Sequence, residues 1–488
     1  MAKSLKINFI FNLINTVLGL VFPLITFPYV TRVLLPDGVG QVQFFQSIIN
    51  YIALFAALGI PLYAVKEIAK VRDDVNERNK TALEILLLYT FLSIISYIVV
   101  FGIAFFVNRV SVNAPLFLVL SLHIILVALG SEWFYQGIED FGYITARSVI
   151  IRIVSLIALF VFVKNSNDLL VYGFLLVLAE AGNNIFNFCH LRKYIDIKQI
   201  PWKELNLKRH VQPALKIFAL NVIVSIYVYL DSIMLGFLCD NQSVGYYAAA
   251  TRITRALSGF AGALGGVLLP RLSNYAGKGD YGNFNTTASK SISLVNMFTI
   301  PMVLGLIICA PLIISVFCGS EFTPASKTLQ FISPVIFFLG ISGLTGTRIL
   351  YAQNQEKIVI KCTAIGAIIN LFLNLVLIPS YSQDGAAIAS VIAEAAVAIS
   401  MLIIGRKFVP FRIINMQNGL YLLFSFIMII PIIIINRFLS NPFLLLFLDV
   451  IVAVTFYLAL LYFSHNEFLI LIKDSLVSVL NKNKNDKL

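Results

Sequence analysis

The sequence has little charge, few cysteines and no long polar segment, and each shortage excludes a class of protein. Charged residues account for 12% of the 488 residues and hydrophobic residues for 59%, with a mean hydropathy of +0.90. This composition excludes a soluble globular domain and predicts a membrane protein. The five cysteines are scattered, without a CxxC pair or a disulfide framework, so we interpret them as small buried residues.

Motifs for catalysis are also missing from the sequence. There is no Walker A motif, no glycine-rich phosphate loop and no His/Cys spacing for a metal. Asp73 and Asp74 are adjacent, but the basic residues around them indicate a solvated loop rather than a metal site. We therefore expect no catalytic residue, no metal and no cofactor.

Hydrophobic segments, here called spans 1 to 14, follow one another along the chain. Each is long enough to cross a hydrocarbon core of roughly 30 Å as an α-helix. The fold class that we predict is an all-α polytopic membrane protein with about 14 transmembrane helices. The spans cover residues 1–30, 41–64, 82–107, 115–136, 143–163, 168–190, 213–237, 244–271, 289–315, 328–352, 358–379, 385–408, 419–437 and 441–463.

The basic residues are divided unequally between the two ends of the spans. Of the 36 lysines and arginines, 26 lie on the side of the N-terminus, five on the opposite side and five within spans. Because cytoplasmic loops carry the excess of basic residues, both termini are predicted to be cytoplasmic. The net charge of +12 then reflects membrane topology, and no nucleic-acid partner is expected.

The two halves of the chain are weakly similar. VTRVLLPDGVGQVQFF at 30–45 matches SIMLGFLCDNQSVGYY at 232–247, with Val39-Gly40 aligned on Val244-Gly245. Spans 1–6 and 7–12 therefore predict two pseudo-symmetric six-helix lobes, with spans 13 and 14 outside the repeat. The predicted domains are an N-terminal lobe (1–192), a cytoplasmic inter-lobe linker (193–212), a C-terminal lobe (213–410), spans 13 and 14 (411–463) and a cytoplasmic tail (464–488) with the spacing of an amphipathic helix.

Span 8 carries two arginines well inside the membrane. Arg252 and Arg255 lie about 12 and 16 Å along the helix from its first residue, so Arg255 is predicted near the membrane midplane. An arginine at this depth costs roughly 2.5–3.5 kcal/mol on insertion scales and should face a partner or a water-filled cavity. The two arginines either bind an anionic group that crosses the membrane or pair with intramembrane carboxylates and hold helices together.

Polar side chains follow one face of the spans that open each lobe. They recur every three or four residues, which places them on one side of a helix. We interpret these faces as walls of a hydrated cavity, with interhelical hydrogen bonding as the alternative. The predicted cavity-lining residues are Asn8, Asn12 and Asn15 of span 1, Gln46 and Asn50 of span 2, and Asn221, Ser225 and Tyr229 of span 7.

Other ionisable residues within the spans have separate interpretations. Arg152 of span 5 and Glu180 of span 6 lie at similar depths, and we predict a structural ion pair between them. Glu394 of span 12 is predicted either to pair with an arginine or to carry a coupling proton. Asp231 lies near the end of span 7, where capping or snorkelling is expected, and His123 is expected to be a hydrogen-bonded packing residue.

Six stretches of sequence carry a resemblance that extends over nearly the whole chain. They are FPYVTRVLLPDGVGQVQFFQSI at 27–48, LGIPLYAVKEIAKVRDD at 58–74, SEWFYQGIEDFGYITARSVIIRI at 131–153, YLDSIMLGFLCDNQSVGYYAAATRI at 229–253, LLPRLS at 268–273 and GAAIASVIAEAAV at 385–397. In their order and spacing, these stretches resemble the polysaccharide-biosynthesis flippases of the multidrug/oligosaccharidyl-lipid/polysaccharide exporter superfamily.

The resemblance implies a two-lobed bundle of 14 helices that works by alternating access in the bacterial inner (cytoplasmic) membrane. Its substrate would be an oligosaccharide linked through diphosphate to a polyprenol such as undecaprenol. Basic cavity residues bind the diphosphate in such flippases, which implies this role for Arg252, Arg255 and, near the outer mouth, Arg32. The implied partners are the lipid-linked substrate, membrane lipids and polysaccharide polymerase machinery.

Two rival functions are considered beside this one. The first is an exporter of drugs or organic cations with the same fold. The drug-exporting branch often carries an acidic coupling residue in span 1, whereas span 1 here has asparagines and no Asp or Glu. The second is a membrane enzyme or polymerase that acts on lipid-linked sugars, which would change the repeat unit chemically.

Overall fold

A computed structural model of the chain describes residues 5–195, 202–266, 268–410 and 416–466. Within these ranges, the side chains of residues 5–10, 12, 13, 16, 20, 219–227 and 260–266 lie outside the description. Every regular element of the described ranges is helical, which confirms the all-α fold class. The helices are α1 (Leu5–Ala57), α2 (Ile60–Val71), α3 (Val75–Phe106), α4 (Asn108–Ser111), α5 (Ala114–Gly130), α6 (Glu132–Gly137), α7 (Phe141–Phe162), α8 (Leu169–Ala181), α9 (Asn183–Leu191), α10 (Lys208–Leu238), α11 (Asn241–Gly266), α12 (Leu268–Gly277), α13 (Tyr281–Cys318), α14 (Ala325–Ile332), α15 (Val335–Leu344), α16 (Glu356–Ile404), α17 (Met416–Ile427), α18 (Ile429–Ile435) and α19 (Pro442–Phe463).

Most described residues of each predicted span lie in these helices, although several spans cross a short break between two helices or extend past a helix end. By length and hydropathy, nine helical stretches of the described residues can cross a membrane, or ten if α8 and α9, bent by 46° at their junction, form one span. The multi-pass membrane character is therefore confirmed. The count of 14 stays a prediction.

Two long helices are each interrupted by one residue with non-helical backbone angles. In α1 this residue is Leu35 (φ 61°, ψ 174°), and in α16 it is Ser382 (φ 47°, ψ −128°). Pro36 follows Leu35, and a proline disfavours the helical conformation of the residue before it. The first break separates spans 1 and 2, and the second separates spans 11 and 12.

The described chain packs into two compact units. Unit 1 comprises Met1–Ala248 and Leu371–Ala386, and its core includes Ile60, Ile68 and Tyr135. Unit 2 comprises Ala249–Asn370 and Ala387–Leu488, and its core includes Leu272, Phe284 and Ile349. The predicted lobes were drawn from the sequence repeat rather than from compactness, and their boundaries stay a prediction. Residues 196–201 of the linker and 467–488 of the tail lie outside the described residues.

Two segments that the sequence repeat aligns lie backbone to backbone in unit 1. A Cβ atom on Gly40 would lie 1.7 Å from the carbonyl oxygen of Asn241 and 2.7 Å from the amide nitrogen of Gly245. A Cβ atom on Gly245 would lie 2.2 Å from the carbonyl oxygen of Pro36. The second half of α1 can therefore approach the start of α11 this closely only because both positions lack a side chain.

An arginine of α4 stabilises the C-terminal end of α10, which precedes α11. Arg109 of α4 donates from Nε to the carbonyl oxygen of Gly236 (3.0 Å) and from Nη2 to the carbonyl oxygen of Cys239 (3.2 Å). Its Nη2 also donates to Oδ1 of Asn241 (3.2 Å), at the start of α11. Carbonyl groups at a helix C-terminus lack intrahelical donors and carry partial negative charge, so a guanidinium group stabilises this end.

Candidate functional site

The arginines of span 8 lie on the accessible face of α11, in unit 2. Arg255 is exposed and Arg252 is partly buried, whereas Thr251 and Thr254 are buried. Thr254 Oγ1 donates to the carbonyl oxygens of Ala250 (3.3 Å) and Thr251 (3.0 Å), so its hydroxyl group is satisfied within the helix. The threonine side of α11 is therefore a packing surface, and the two arginines occupy the more open side.

Arg32, the third predicted diphosphate ligand, lies in unit 1, three residues before the break of α1 at Leu35. Its side chain is exposed, and Nη1 donates to the carbonyl oxygen of Pro28 at 2.6 Å. Because Arg32 belongs to a different unit from Arg252 and Arg255, a shared site of the three arginines stays a prediction.

The polar face of span 1 meets an arginine of span 5. Arg152 Nη1 donates to the carbonyl oxygen of Asn15 at 3.2 Å and to its Oδ1 at 3.4 Å. A Cβ atom on Gly19, one turn further, would lie 3.9 Å from both Nη atoms, so the guanidinium group lies against the glycine. The side chains of Asn8 and Asn12 lie outside the described residues.

The structure does not bring Arg152 and Glu180 into the predicted ion pair. Arg152 bonds with Asn15, and Glu180 bonds with Gln46. Equal depth in two spans fixes the height of two side chains but not their direction. Arg152 on α7 faces the first half of α1, whereas Glu180 on α8 faces the second half of α1.

Glu180 instead joins Gln46 and His123. Gln46 Nε2 donates to both carboxylate oxygens of Glu180, at 3.0 and 3.1 Å. His123 Nδ1 lies 3.8 Å from Oε2 of the same carboxylate. The side chain of Glu180 is 41% exposed and that of His123 is 23% exposed, so the cluster opens onto accessible space. Asn50, one turn after Gln46, is partly buried.

Asp231 differs from the expectation of a capping or snorkelling residue. It is only 4% exposed, accepts a hydrogen bond from Tyr247 OH, and accepts another from Asn374 Nδ2 at 2.6 Å. Asn370 and Asn374 are both fully buried, one turn apart on α16. Asn374, in an apolar span, was the sequence signal for this buried polar cluster in unit 1, which was not predicted.

The other predicted site residues have their own surroundings. Tyr229 is partly buried and packs edge-on against Tyr51, with ring centroids 6.0 Å apart. The side chains of Asn221 and Ser225 lie outside the described residues. Glu394 is 4% exposed in unit 2 and accepts a hydrogen bond from Ser342 Oγ at 2.9 Å. Its role in ion pairing or proton coupling stays a prediction.

A buried charge cluster at the start of α10 was not predicted. Glu84 of α3 is fully buried and accepts hydrogen bonds from Arg209 Nε (2.7 Å) and from the backbone N–H of Asn206 (2.8 Å). His210 Nε2 lies 2.8 Å from the same carboxylate, and its Nδ1 lies 2.8 Å from Tyr63 OH. Burial lowers the pKa of His210, and the hydrogen bond with Glu84 offsets this only in part. The cluster fastens α10 to α3 on the predicted cytoplasmic side.

No group of three or more His, Cys, Asp or Glu side chains is placed to hold a metal ion in the described part of the chain. The geometry offers arginines in unit 2 and, separately, amides with an accessible carboxylate in unit 1, all within predicted membrane spans. Such groups bind and orient a polar ligand through charge and hydrogen bonds.

Comparison with known proteins places this chain in a group of membrane transporters. The profile of the family described as "Polysaccharide biosynthesis protein" matches residues 5–276, and the profile described as "MatE" matches residues 217–376. A putative O-antigen transporter of Escherichia coli strain K12 is 24% identical over 404 residues, which cover 83% of this chain and 97% of the relative.

Two further comparisons are with proteins named as flippases. A probable low-salt glycan biosynthesis flippase of Haloferax volcanii is 29% identical over 169 residues, 35% of this chain and 36% of the relative. The solved structure of the lipid II flippase MurJ in an inward closed conformation superposes with a TM-score of 0.71 at 21% identity, covering 94% of this chain and all of that one. This likeness shows the fold alone. The chain belongs to the polysaccharide biosynthesis protein family, within the multidrug/oligosaccharidyl-lipid/polysaccharide exporter superfamily, and is a transporter rather than an enzyme.

Proposed function

We propose that this protein is a flippase that moves a polyprenyl-diphosphate-linked oligosaccharide from the cytoplasmic to the outer leaflet of a bacterial cytoplasmic membrane. The family and the names of the relatives support transport of a lipid-linked glycan. The excess of basic residues on one side supports an orientation with both termini in the cytoplasm. The flipped lipid would then be used by a polysaccharide polymerase for assembly of surface polysaccharide.

The observation that carries this proposal is the pair of arginines on the open side of α11. Arg252 and Arg255 lie on one helix face within a span, and Arg255 is exposed there. Lipid is an unfavourable neighbour for a guanidinium group, so a polar protein group, water or an anion is favoured beside it. Two planar guanidinium groups, each with several N–H donors, match the oxygen atoms of a diphosphate in bidentate geometry.

The proposed mechanism separates the head group from the lipid tail. The diphosphate pairs with Arg252 and Arg255, with Arg32 as a further ligand, and polar side chains such as Asn15 hydrogen-bond the sugars. The polyprenyl tail stays in the bilayer, because its transfer into water would forfeit about 0.8 kcal/mol per CH₂ group. Alternating access then exposes the head group to the outer side.

The experiment is transport of a fluorescent undecaprenyl-diphosphate oligosaccharide in proteoliposomes. Charge-assisted hydrogen bonds contribute about 1.5–3 kcal/mol each, so Arg252→Ala and Arg255→Ala should each lower the flipping rate about ten- to a hundredfold. Arg255→Lys should retain part of the rate, because the charge remains without the bidentate geometry.

The matched control is Arg271→Ala, which removes an exposed arginine of α12 that packs over the Tyr275 ring. This variant should flip at the wild-type rate. Unchanged flipping in both Arg252→Ala and Arg255→Ala, with wild-type expression and thermal stability, would assign these arginines to packing. The diphosphate site would then have to be sought at Arg32 or along the polar face of α1.

Export of organic cations is a second candidate, favoured by one observation. Glu180 is an accessible carboxylate inside a span, a group that binds cations, and the MatE profile covers residues 217–376. Under this alternative, Glu180→Gln would abolish efflux of a fluorescent organic cation, and the protein would not flip a diphosphate lipid. Efflux that is indistinguishable from that of empty vesicles would exclude it.

A further inference from the structure

Between Gln41 and Asn50, α1 is buried in unit 1 except along one polar face. Phe45 and Ile49 are fully buried, whereas Gln43, Gln46 and Asn50, on the opposite side of the helix, are partly exposed. A helix face that contacts lipid carries apolar side chains, whereas this face carries three amide side chains. This accessible face therefore lines a polar space inside the helix bundle.

Glu180, on α8, faces the same polar space. Val177 and Asn184, one turn to either side, are buried, yet Glu180 is 41% exposed. It lies about 15 Å from the end of span 6, near the middle of the membrane. The chain bends by 46° just after Glu180, between α8 and α9. Broken helices at this depth are tolerated where they line a cavity or are buried in protein, and in transporters they point to the substrate site.

The arrangement of donors and acceptors suits the hydroxyl groups of a sugar. A carboxylate has about four lone-pair positions, and Gln46 Nε2 uses one on each oxygen of Glu180. The remaining positions can accept hydrogen bonds from two neighbouring hydroxyl groups. Gln46 adds an amide oxygen as an acceptor, and the imidazole of His123, whose Nδ1 is buried, contributes through Nε2. The amide of Gln46 and the carboxylate of Glu180 hold each other in place before any ligand binds.

We propose that Gln46, Glu180 and His123 form a sugar-binding subsite in unit 1, in which the Glu180 carboxylate accepts hydrogen bonds from adjacent hydroxyl groups of the glycan. The inference rests on the proposed flippase function and assigns the glycan, rather than the diphosphate, to these residues. Transport would then depend on the sugar attached to the lipid, and Glu180 would set that dependence.

Binding to purified protein in nanodiscs separates the two parts of the substrate. One probe is undecaprenyl diphosphate, and the others are the same lipid carrying glucose, galactose, N-acetylglucosamine or rhamnose. For each variant, the measured quantity is the affinity for a glycosylated probe divided by that for the sugar-free probe, called the sugar ratio. The wild type should have a sugar ratio well above one for at least one of the four sugars.

The Glu180 variants test the role of the carboxylate. Glu180→Ala should lower the sugar ratio about tenfold and leave the affinity for undecaprenyl diphosphate unchanged. Glu180→Gln should stay within about threefold of the wild type, because an amide oxygen still accepts a hydroxyl hydrogen bond. Arg255→Ala should weaken the glycosylated and sugar-free probes equally and keep the sugar ratio.

Other outcomes would overturn the assignment. If Glu180→Gln and Glu180→Ala lowered the sugar ratio equally, the negative charge would be the important property, as in proton coupling or cation binding. Loss of affinity for every probe in Glu180→Ala would mean a structural role. A wild-type sugar ratio of one for all four sugars would reject the subsite while the flippase proposal stands. If the wild type bound none of the diphosphate lipids, the flippase proposal itself would fail.

Discussion

Arg152, Glu180 and Asp231, three ionisable residues within the spans, have partners that depend on the direction of each side chain as much as on its depth. Arg152 and Glu180 lie at similar depths, but one bonds with Asn15 and the other with Gln46. Asp231 is satisfied by Tyr247 and by Asn374, a residue 143 positions away in the sequence. These three side chains are therefore stabilised by polar groups of another helix, as the low-polarity interior of a span requires.

His210 makes the packing of α10 sensitive to pH. Its pKa is lowered in the folded protein, so near pH 6.5 the unfolded segment binds more protons than the folded one. The contribution of His210 to stability is therefore complete above about pH 6.5 and is lost as the pH falls below it. We expect hydrogen exchange of residues 206–215, corrected for intrinsic rates, to speed up several-fold between pH 7.5 and 5.5.

A matched pair of histidine variants checks this cause. His210→Gln keeps an amide near Glu84 but does not titrate, so exchange of the segment should lose most of its pH dependence. His465→Asn changes an exposed histidine with φ of 53°, a conformation that asparagine tolerates, and should leave the pH dependence as in the wild type. Equal pH dependence in His210→Gln and the wild type would contradict the assignment.

At the residue scale, the sequence identified polar positions better than it identified their partners. Gln46 and Arg152 were recognised because polar residues in an apolar span are rare and easily seen. The partner of each depends on the rotation of its helix against its neighbours, which packing of the whole unit decides. Glu84 was not predicted because it lies at the start of span 3, where a charged residue does not interrupt the hydropathy pattern.

The helices themselves follow from the hydrophobic pattern, and their breaks follow from local chemistry. The predicted spans lie in helices because each supplies a long apolar run in which backbone groups are satisfied internally. Pro36 explains the break at Leu35 once the structure is known. Pro23 and Pro28 lie inside the same helix without such a break, so proline alone did not predict where α1 is interrupted.

The contact between α1 and α11 tests whether close helix approach stabilises unit 1. Gly40→Ala would place a methyl group 1.7 Å from the carbonyl oxygen of Asn241, so the two backbones would have to separate. Overpacking of this kind typically costs about 1–3 kcal/mol. We expect a clearly lower midpoint of thermal unfolding for purified Gly40→Ala in detergent.

Gly102 provides the control for this variant. It lies inside α3, and a Cβ atom there would meet no other atom within 4 Å. Gly102→Ala should leave the midpoint unchanged or raise it, because alanine is favoured over glycine in a helix by up to about 1 kcal/mol. The contact would have no stabilising role if Gly40→Ala unfolded at the same temperature as Gly102→Ala.

At the scale of the whole molecule, the composition and the charge pattern predict the class of protein, and the polar residues within the spans suggest its function. An apolar chain with basic residues on one side has to be a multi-pass membrane protein. The compact units were not predictable from the repeat, because they depend on which helices contact one another in space. Residues 371–386, for example, pack in unit 1 although they lie far along the second half of the chain.

The central claim is that the protein moves an intact lipid-linked oligosaccharide across a membrane. The most direct measurement is the fraction of fluorescent undecaprenyl-diphosphate oligosaccharide that wild-type proteoliposomes move between leaflets, followed by mass spectrometry of the re-extracted lipid. We predict rapid redistribution compared with empty vesicles and an unchanged lipid mass. A lipid that stays in its original leaflet under an ion gradient and a membrane potential, or that returns with an altered glycan, would contradict the proposed function.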